Sequence, residues 1–530
     1  MINSVKKGVQ QLKENRFLIG LSFLILLIGQ YTIDSQRRPS FWPKTYILLA
    51  VVVILLVGLL LSTNRMDKIA KNTFILIFLL GSLNSLILPI RRNLDENTHY
   101  YRVLQLSDGK VRSQTDERNF LMVSPDFLGV TKLPSKGEAG STTSTNLYTK
   151  DFLDLFNMKA DYKLAYLNQG ELNSPAYIPS AIGVKLGQLI SNKVYISYYL
   201  GRIFNVLFYA LLAFWAVKLS KYYQLQLFVM SLLPFVTWIV SGYNYDSLYY
   251  GLALLIMAQF TNFIGREKSF TLKRGIIYNL TCLGLVFCKA PVILLIFLPV
   301  FLPKRVFATV KTYWLNLLVI VGVGISGLIW LGQARVFKLL NISYTQTIQV
   351  ANEIAPKVSR ISYFISHPFE TIEMVLRSLF DIPSAILGSL LNPQPFLTAS
   401  RVVSLINIVT FVVLLILISS QLTIQLTKAT KRAFWVIFLL ISLAIMYAIS
   451  GDPRVFKVGD LHVGGVQGRY HYYLLVALPL LLSSSIKKLF SFGESSVLST
   501  VDNQRIVDTT VKIVAFVTIL NTCVSLYAYF

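Results

Sequence analysis

The residues of this chain with the most chemical potential stand together in LPIRRNLDENTHYYRVLQLSDG, where Asp95 and Glu96 are followed by His99. On a helix, positions 95 and 99, and positions 96 and 99, share a face, so a single turn would present carboxylate and imidazole to one point. Such a group can move a proton or hold a divalent cation of the Mg or Mn kind, although the spacing is not that of a dedicated metal motif. Capping and salt bridging with Arg91, Arg92 and Arg102 explains the same residues without any chemistry, and residue types alone leave the two readings level. Three cations are also unusually placed. Arg202 lies about two turns into an apolar run, Lys289 sits in FCKAPV where two runs meet, and Arg469 opens another. A cation inside an apolar run needs a partner, and three converging at one depth would suit a phosphate or pyrophosphate at the lipid boundary. Snorkelling to headgroups is the alternative, strongest for Arg469 at the end of its run.

In SGYNYDSLYYG, Asn244 and Asp246 mark a turn between two runs, and turn chemistry explains them twice as readily as ligand binding. The neighbouring tyrosines and Trp238 would otherwise form an aromatic floor for a sugar ring. His367, His462 and His471 are the remaining histidines, and each by itself reads as a surface or interfacial residue. The chain has no nucleotide-binding glycine loop, no serine-hydrolase elbow, no HExxH and no kinase motif, which leaves an inward-facing nucleotide enzyme without support.

The elements that must hold these residues are membrane helices. The 530 residues are 54% hydrophobic and 14% charged, and apolar runs of about 18–22 residues recur along them. Tyrosine and tryptophan gather near the run ends, as amphipathic rings do at headgroup level. Helices are predicted at 16–33, 44–62, 73–90, 195–217, 223–241, 247–264, 275–289, 290–303, 313–332, 402–421, 433–450, 470–485 and 511–529, about thirteen spans in all. With the N-terminus inside, most of the net charge of +25 falls on inner segments, so the charge reports topology and nucleic acid is excluded as a partner. Two long outer loops result, 91–194 and 333–401. The first ends in Ile178, Ile182, Leu186, Leu189 and Ile190 at helical spacing, an interfacial helix lying along the membrane surface; the second carries another amphipathic segment broken at His367-Pro368. Cys282, Cys288 and Cys523 fall inside apolar runs, with neither disulfide nor zinc spacing. The basic N-terminus before the first run reads as a retained signal anchor.

In order along the chain, LDENTHYYRVLQLSDG, NSPAYIPSAIGVKLGQLI, YLGRIFNVLFY, SGYNYDSLYYGLALL, CKAPVILLIFLP, ISHPFETI and GGVQGRYHYYLLVALPLL resemble the signature blocks of a bacterial family of polytopic membrane proteins of largely unassigned function. That family looks like part of the GT-C glycosyltransferase superfamily. The resemblance covers 85–485 and implies a multi-pass plasma-membrane enzyme with its site on the extracellular face. Such an enzyme moves a sugar from a polyprenyl-phosphate-linked donor to a cell-envelope polysaccharide or teichoic-acid-like acceptor.

The expected fold is therefore an all-α integral membrane protein with a GT-C-like bundle. Residues 1–70 hold two helices outside the resemblance, 71–485 the catalytic module, and 486–530 a cytoplasmic link and a final helix. GT-C enzymes place an essential acid in the first large outer loop, which implies Asp95, with Glu96 and His99 beside it, as the catalytic group. LDE stands where the pattern has a proline before the acidic pair. Arg202, Asn244, Asp246, Lys289, His367, Gln467, Arg469 and Tyr470 are the expected substrate contacts, the last group from the GVQGRY block. No cofactor is firmly implied; a divalent cation would fall on Asp95, Glu96 and His99. A transporter or flippase of lipid-linked saccharides is the competing function, disfavoured by the large outer loops with interfacial helices, since transporters usually show paired repeats and interrupted helices near the midplane.

Overall fold

Apolar runs of this length bury their backbone polar groups only by closing them in helices, and the computed structural model is helical throughout. It describes residues 2–36, 44–63, 65–88, 90–109, 174–332, 360–390, 401–452, 455–489 and 500–529. Expectations for the Ser/Thr/Gly patch near 140–146, much of the two long loops and the 490–499 link lie outside the described residues. Among the described residues there is no strand, only one isolated bridge between Phe270 and Phe307.

The helices in chain order are α1 (Ile2–Glu14), α2 (Arg16–Gln36), α3 (Lys44–Leu60), α4 (Ile69–Ile87), α5 (Glu96–Ser107), α6 (Ile178–Ile190), α7 (Val194–Leu219), α8 (Gln224–Ser231) and α9 (Pro234–Ile239). They continue with α10 (Asp246–Ile264), α11 (Leu272–Leu283), α12 (Val310–Leu331), α13 (Arg360–Ser366), α14 (Pro368–Leu390), α15 (Arg401–Ser420), α16 (Lys428–Ile449), α17 (Tyr472–Leu489) and α18 (Thr500–Tyr529). Among the described residues, 8 helices are long and apolar enough to cross a membrane, and Arg16–Gly29, Tyr46–Leu60 and Ala290–Phe301 are shorter apolar ones.

The described residues do not by themselves show the expected thirteen spans, and two of the expected runs are reshaped at prolines. The run 223–241 breaks into α8 and α9 because Pro234 has no N–H to continue the first helix and opens the second. The run 290–303 winds as a 3-10 helix, Ala290–Phe301, with Pro299 inside it. Twelve residues at about 2 Å each reach about 24 Å, farther than an α-helix of that length. Lys289 caps the start of this stretch.

One apolar cluster runs from Leu18 on α2 to Leu526 on α18 and unites both chain ends with the bundle. A smaller cluster of Tyr100, Tyr101, Tyr177, Tyr198, Tyr199 and Tyr243 with aliphatic neighbours joins α5, α6 and α7. Helix α6 leaves Ile178, Ile182, Leu186, Leu189 and Ile190 exposed, the stripe expected from the spacing, and lays its other face on α7. That approach requires Gly187: a Cβ there would run into the backbone of Ser197. Helix α14 has three faces. Met374, Ser378 and Ile382 are buried, Ile372, Leu376 and Phe380 are exposed, and Glu373 pairs with Arg377 between them. The Ser378 hydroxyl accepts from Val463 N at 3.0 Å and His462 meets Asp381 at 2.7 Å, fastening α14 to the loop that leads to Arg469.

Candidate functional site

Where α4 ends and α7 begins, the chain turns sharply before α5. Arg91 and Asp95 both adopt left-handed backbone conformations, φ 62° and 54°, and Asp95 is the residue that precedes α5. Asn93 locks the turn by donating to the carbonyls of Trp238 and Ile239 at 3.1 and 3.0 Å. Because Asp95 stands outside the helix in a left-handed conformation, the shared face expected for positions 95, 96 and 99 does not form. Their side chains diverge to three different partners.

Glu96 turns inward. It takes Arg202 Nε and Nη2 side-on at 2.8 Å each, and accepts from the backbone N–H groups of Asn93 and Tyr243 at 3.2 Å each. Arg202 gives its other N–H groups to the carbonyls of Ser85 and Leu88 and to the Tyr198 hydroxyl. Both side chains have no exposed surface. A guanidinium with all of its donors engaged has none left for a phosphate, so in this structure Arg202, expected at the substrate, and Glu96, expected in catalysis, are occupied with each other. The pair is a pin between α4, α5 and α7.

Asp95 turns outward. Its side chain is 58% exposed and meets Arg469 Nη2 at 3.2 Å. Arg469 sits in a 3-10 turn, Gly468–His471, ahead of α17, and its Nη1 meets Asp246 at 3.0 Å. Asp246, the first residue of α10 and only 1% exposed, also faces Lys289 at 3.7 Å. Lys289 donates to the Tyr245 hydroxyl at 3.0 Å and lies over the rings of Tyr245 and Tyr470. Two carboxylates, two cations and two tyrosines thus converge from four parts of the chain, and desolvated cations over aromatic rings are held more firmly than exposed ones.

His99 is buried one layer behind this group, its Nδ1 2.7 Å from the Tyr177 hydroxyl and its ring edge-on to Tyr245. Tyr177 is a contact that residue types did not suggest, although it stands within the quoted NSPAYIPS block. Asn244 follows the turn reading: its amide donates to the Ile239 and Gly242 carbonyls and its oxygen accepts from Ser247. Gln467 precedes the Arg469 turn and its carbonyl accepts from Tyr470 N at 3.0 Å. His367 lies between α13 and α14, stacked on Tyr363 and 2.8 Å from Ser366 Oγ. His471 is buried, its Nε2 3.1 Å from Ser442 Oγ.

The expected divalent cation does not fit these donors. Among the described residues no three His, Cys, Asp or Glu side chains converge, and both carboxylates that do meet share Arg469. The positive charge that a metal would supply is supplied there by guanidinium and ammonium.

A family model matches residues 76–478, most of the chain and every residue of this cluster. The chain belongs to that family, described as a predicted membrane protein (DUF2142). The description names a membrane protein and no activity, and α2, α3 and α18 fall outside the matched residues. No curated protein and no solved structure matches the chain.

Proposed function

We propose that this chain is a GT-C-type membrane glycosyltransferase. In this reading it moves a sugar from a polyprenyl-phosphate donor, such as an undecaprenyl phosphate sugar, to a cell-envelope glycopolymer. The reaction takes place at the outer face of a bacterial plasma membrane. The observation that carries the proposal is one exposed carboxylate, Asp95, on Arg469, which shares the buried carboxylate of Asp246 with a second cation, Lys289. The 8 long helices, together with the shorter and broken ones, are read as a GT-C-like bundle of about thirteen crossings with α6 and α14 lying at the interface.

The residues divide the reaction between them. Asp95 takes the proton from the acceptor hydroxyl as its oxygen attacks the anomeric carbon. The bond from that carbon to the phosphate oxygen breaks, and the departing lipid phosphate gathers charge against Arg469 and Lys289. A single displacement of this kind inverts the anomeric centre. Tyr245 and Tyr470 hold the ammonium in place and offer ring faces to the sugar.

The test is sugar transfer in proteoliposomes supplied with a polyprenyl-phosphate sugar and an acceptor glycan. Asp95→Asn should lower turnover about 10²- to 10⁴-fold, the usual value of a positioned general base. Turnover near wild type in that variant would remove Asp95 as the base, and movement of the lipid-linked saccharide across the bilayer without covalent transfer in the wild type would show the proposal to be wrong and favour a transporter.

A further inference from the structure

The two arginines of this region use the same edge of the guanidinium in different ways. Arg202 presents Nε and Nη2 side-on, and Glu96 fills that edge with two oxygens at 2.8 Å each. On Arg469 the same edge is half used. Nη2 meets one oxygen of Asp95 at 3.2 Å, while Nε makes no hydrogen bond among the described residues although the side chain is only 4% exposed. A side-on guanidinium edge matches a pair of oxygens on a carboxylate or phosphate, so an oxyanion that took the place of Asp95 there would satisfy both nitrogens.

The charges around it say which group would make way. Arg469 and Lys289 carry two positive charges, and Asp246 and Asp95 two negative ones. Asp246 is 1% exposed and faces both cations, so it is fixed. Asp95 is 58% exposed and holds one 3.2 Å contact. An arriving phosphate brings an oxygen pair and a full charge where Asp95 offers one oxygen through a screened contact, and exposed pairs of this kind are weak.

We propose that Asp95 is an internal stand-in for the oxyanion of a phosphate ester on the side edge of Arg469, and that phosphate binding releases it. The released carboxylate is then free to face an acceptor hydroxyl, so the base becomes available only when a donor phosphate is seated. The role of Asp95 as base rests on the reading above; the displacement itself does not, and it can be measured without any sugar.

Full-length chain in nanodiscs would be titrated calorimetrically at fixed ionic strength with farnesyl phosphate and, separately, with inorganic phosphate. Asp95→Ala should tighten farnesyl phosphate binding about two- to five-fold, the worth of an exposed ion pair removed as competitor. In an Arg469→Lys background, which keeps the charge and loses the edge, the gain should vanish. A gain for farnesyl phosphate alone identifies a lipid-linked ligand; an equal gain for inorganic phosphate identifies the free ion. Unchanged or weaker binding in Asp95→Ala overturns the proposal, as does a gain that survives Arg469→Lys, because the effect would then be general electrostatics. Tightened binding with normal sugar transfer in Asp95→Ala would leave the stand-in intact and remove Asp95 as the base. Lost transfer without tightening would do the reverse.

Discussion

Glu96 and Asp95 are adjacent carboxylates, and Glu96→Gln is the substitution that separates their jobs. Glu96 receives four N–H donors: two from Arg202 at 2.8 Å, and the backbone groups of Asn93 and Tyr243 at 3.2 Å. Glutamine keeps the shape but turns an NH₂ group toward donors and removes the charge that Arg202 balances. Arg202 has no exposed surface, so water cannot take over. Breaking such a buried pair from one side costs about 3–5 kcal/mol. Against a typical folding stability of about 5–15 kcal/mol, that is a large share. The assay is thermal unfolding in detergent, where a fall of about 6–10 °C is expected at about 2 °C per kcal/mol. Asp95→Asn, at an exposed side chain, should melt within about 0.5 kcal/mol of wild type. Converting both partners, Glu96→Gln with Arg202→Met, should recover part of the loss, because no buried charge is then left alone. A Glu96→Gln chain that melts like wild type and yet loses transfer would refute the structural role and return Glu96 to the chemistry.

The remaining predictions concern the frame. Gly187→Ala places a methyl against the Ser197 backbone and should separate α6 from α7, lowering stability by about 1–3 kcal/mol in the same melting assay; an unchanged melting temperature would mean the helices are not in that contact. A bimane label at Phe380→Cys should be quenched by acyl-chain quenchers while one at Glu373→Cys is quenched from water, since Phe380 is 80% exposed on the apolar face of α14; equal aqueous quenching at both would place that helix away from lipid.

Much of the frame was legible before any coordinates. The long apolar runs predicted α4, α7, α10, α12, α15, α16 and α17 because periodicity and length are local properties of a chain that must satisfy its backbone within lipid. The α6 stripe and the break at Pro368 were readable for the same reason. The break at Pro234 was not expected because hydropathy does not register a missing N–H, although the proline itself was in plain view.

The site divides differently. Sequence by itself determined which residue types stand at the ends of apolar runs, and so selected Asp95, Asp246, Lys289 and Arg469 among many polar residues. It could not say which cation meets which carboxylate. Arg202 and Lys289 looked alike as cations in apolar surroundings; only tertiary structure closed Glu96 over Arg202 and set Asp246 between Lys289 and Arg469. Helical spacing likewise grouped Asp95, Glu96 and His99, and one left-handed residue at position 95 sent them apart. Local pattern is set by the chemistry of neighbouring residues, whereas the partner of a buried charge is set by which distant segments pack together, and that choice is made only by the fold.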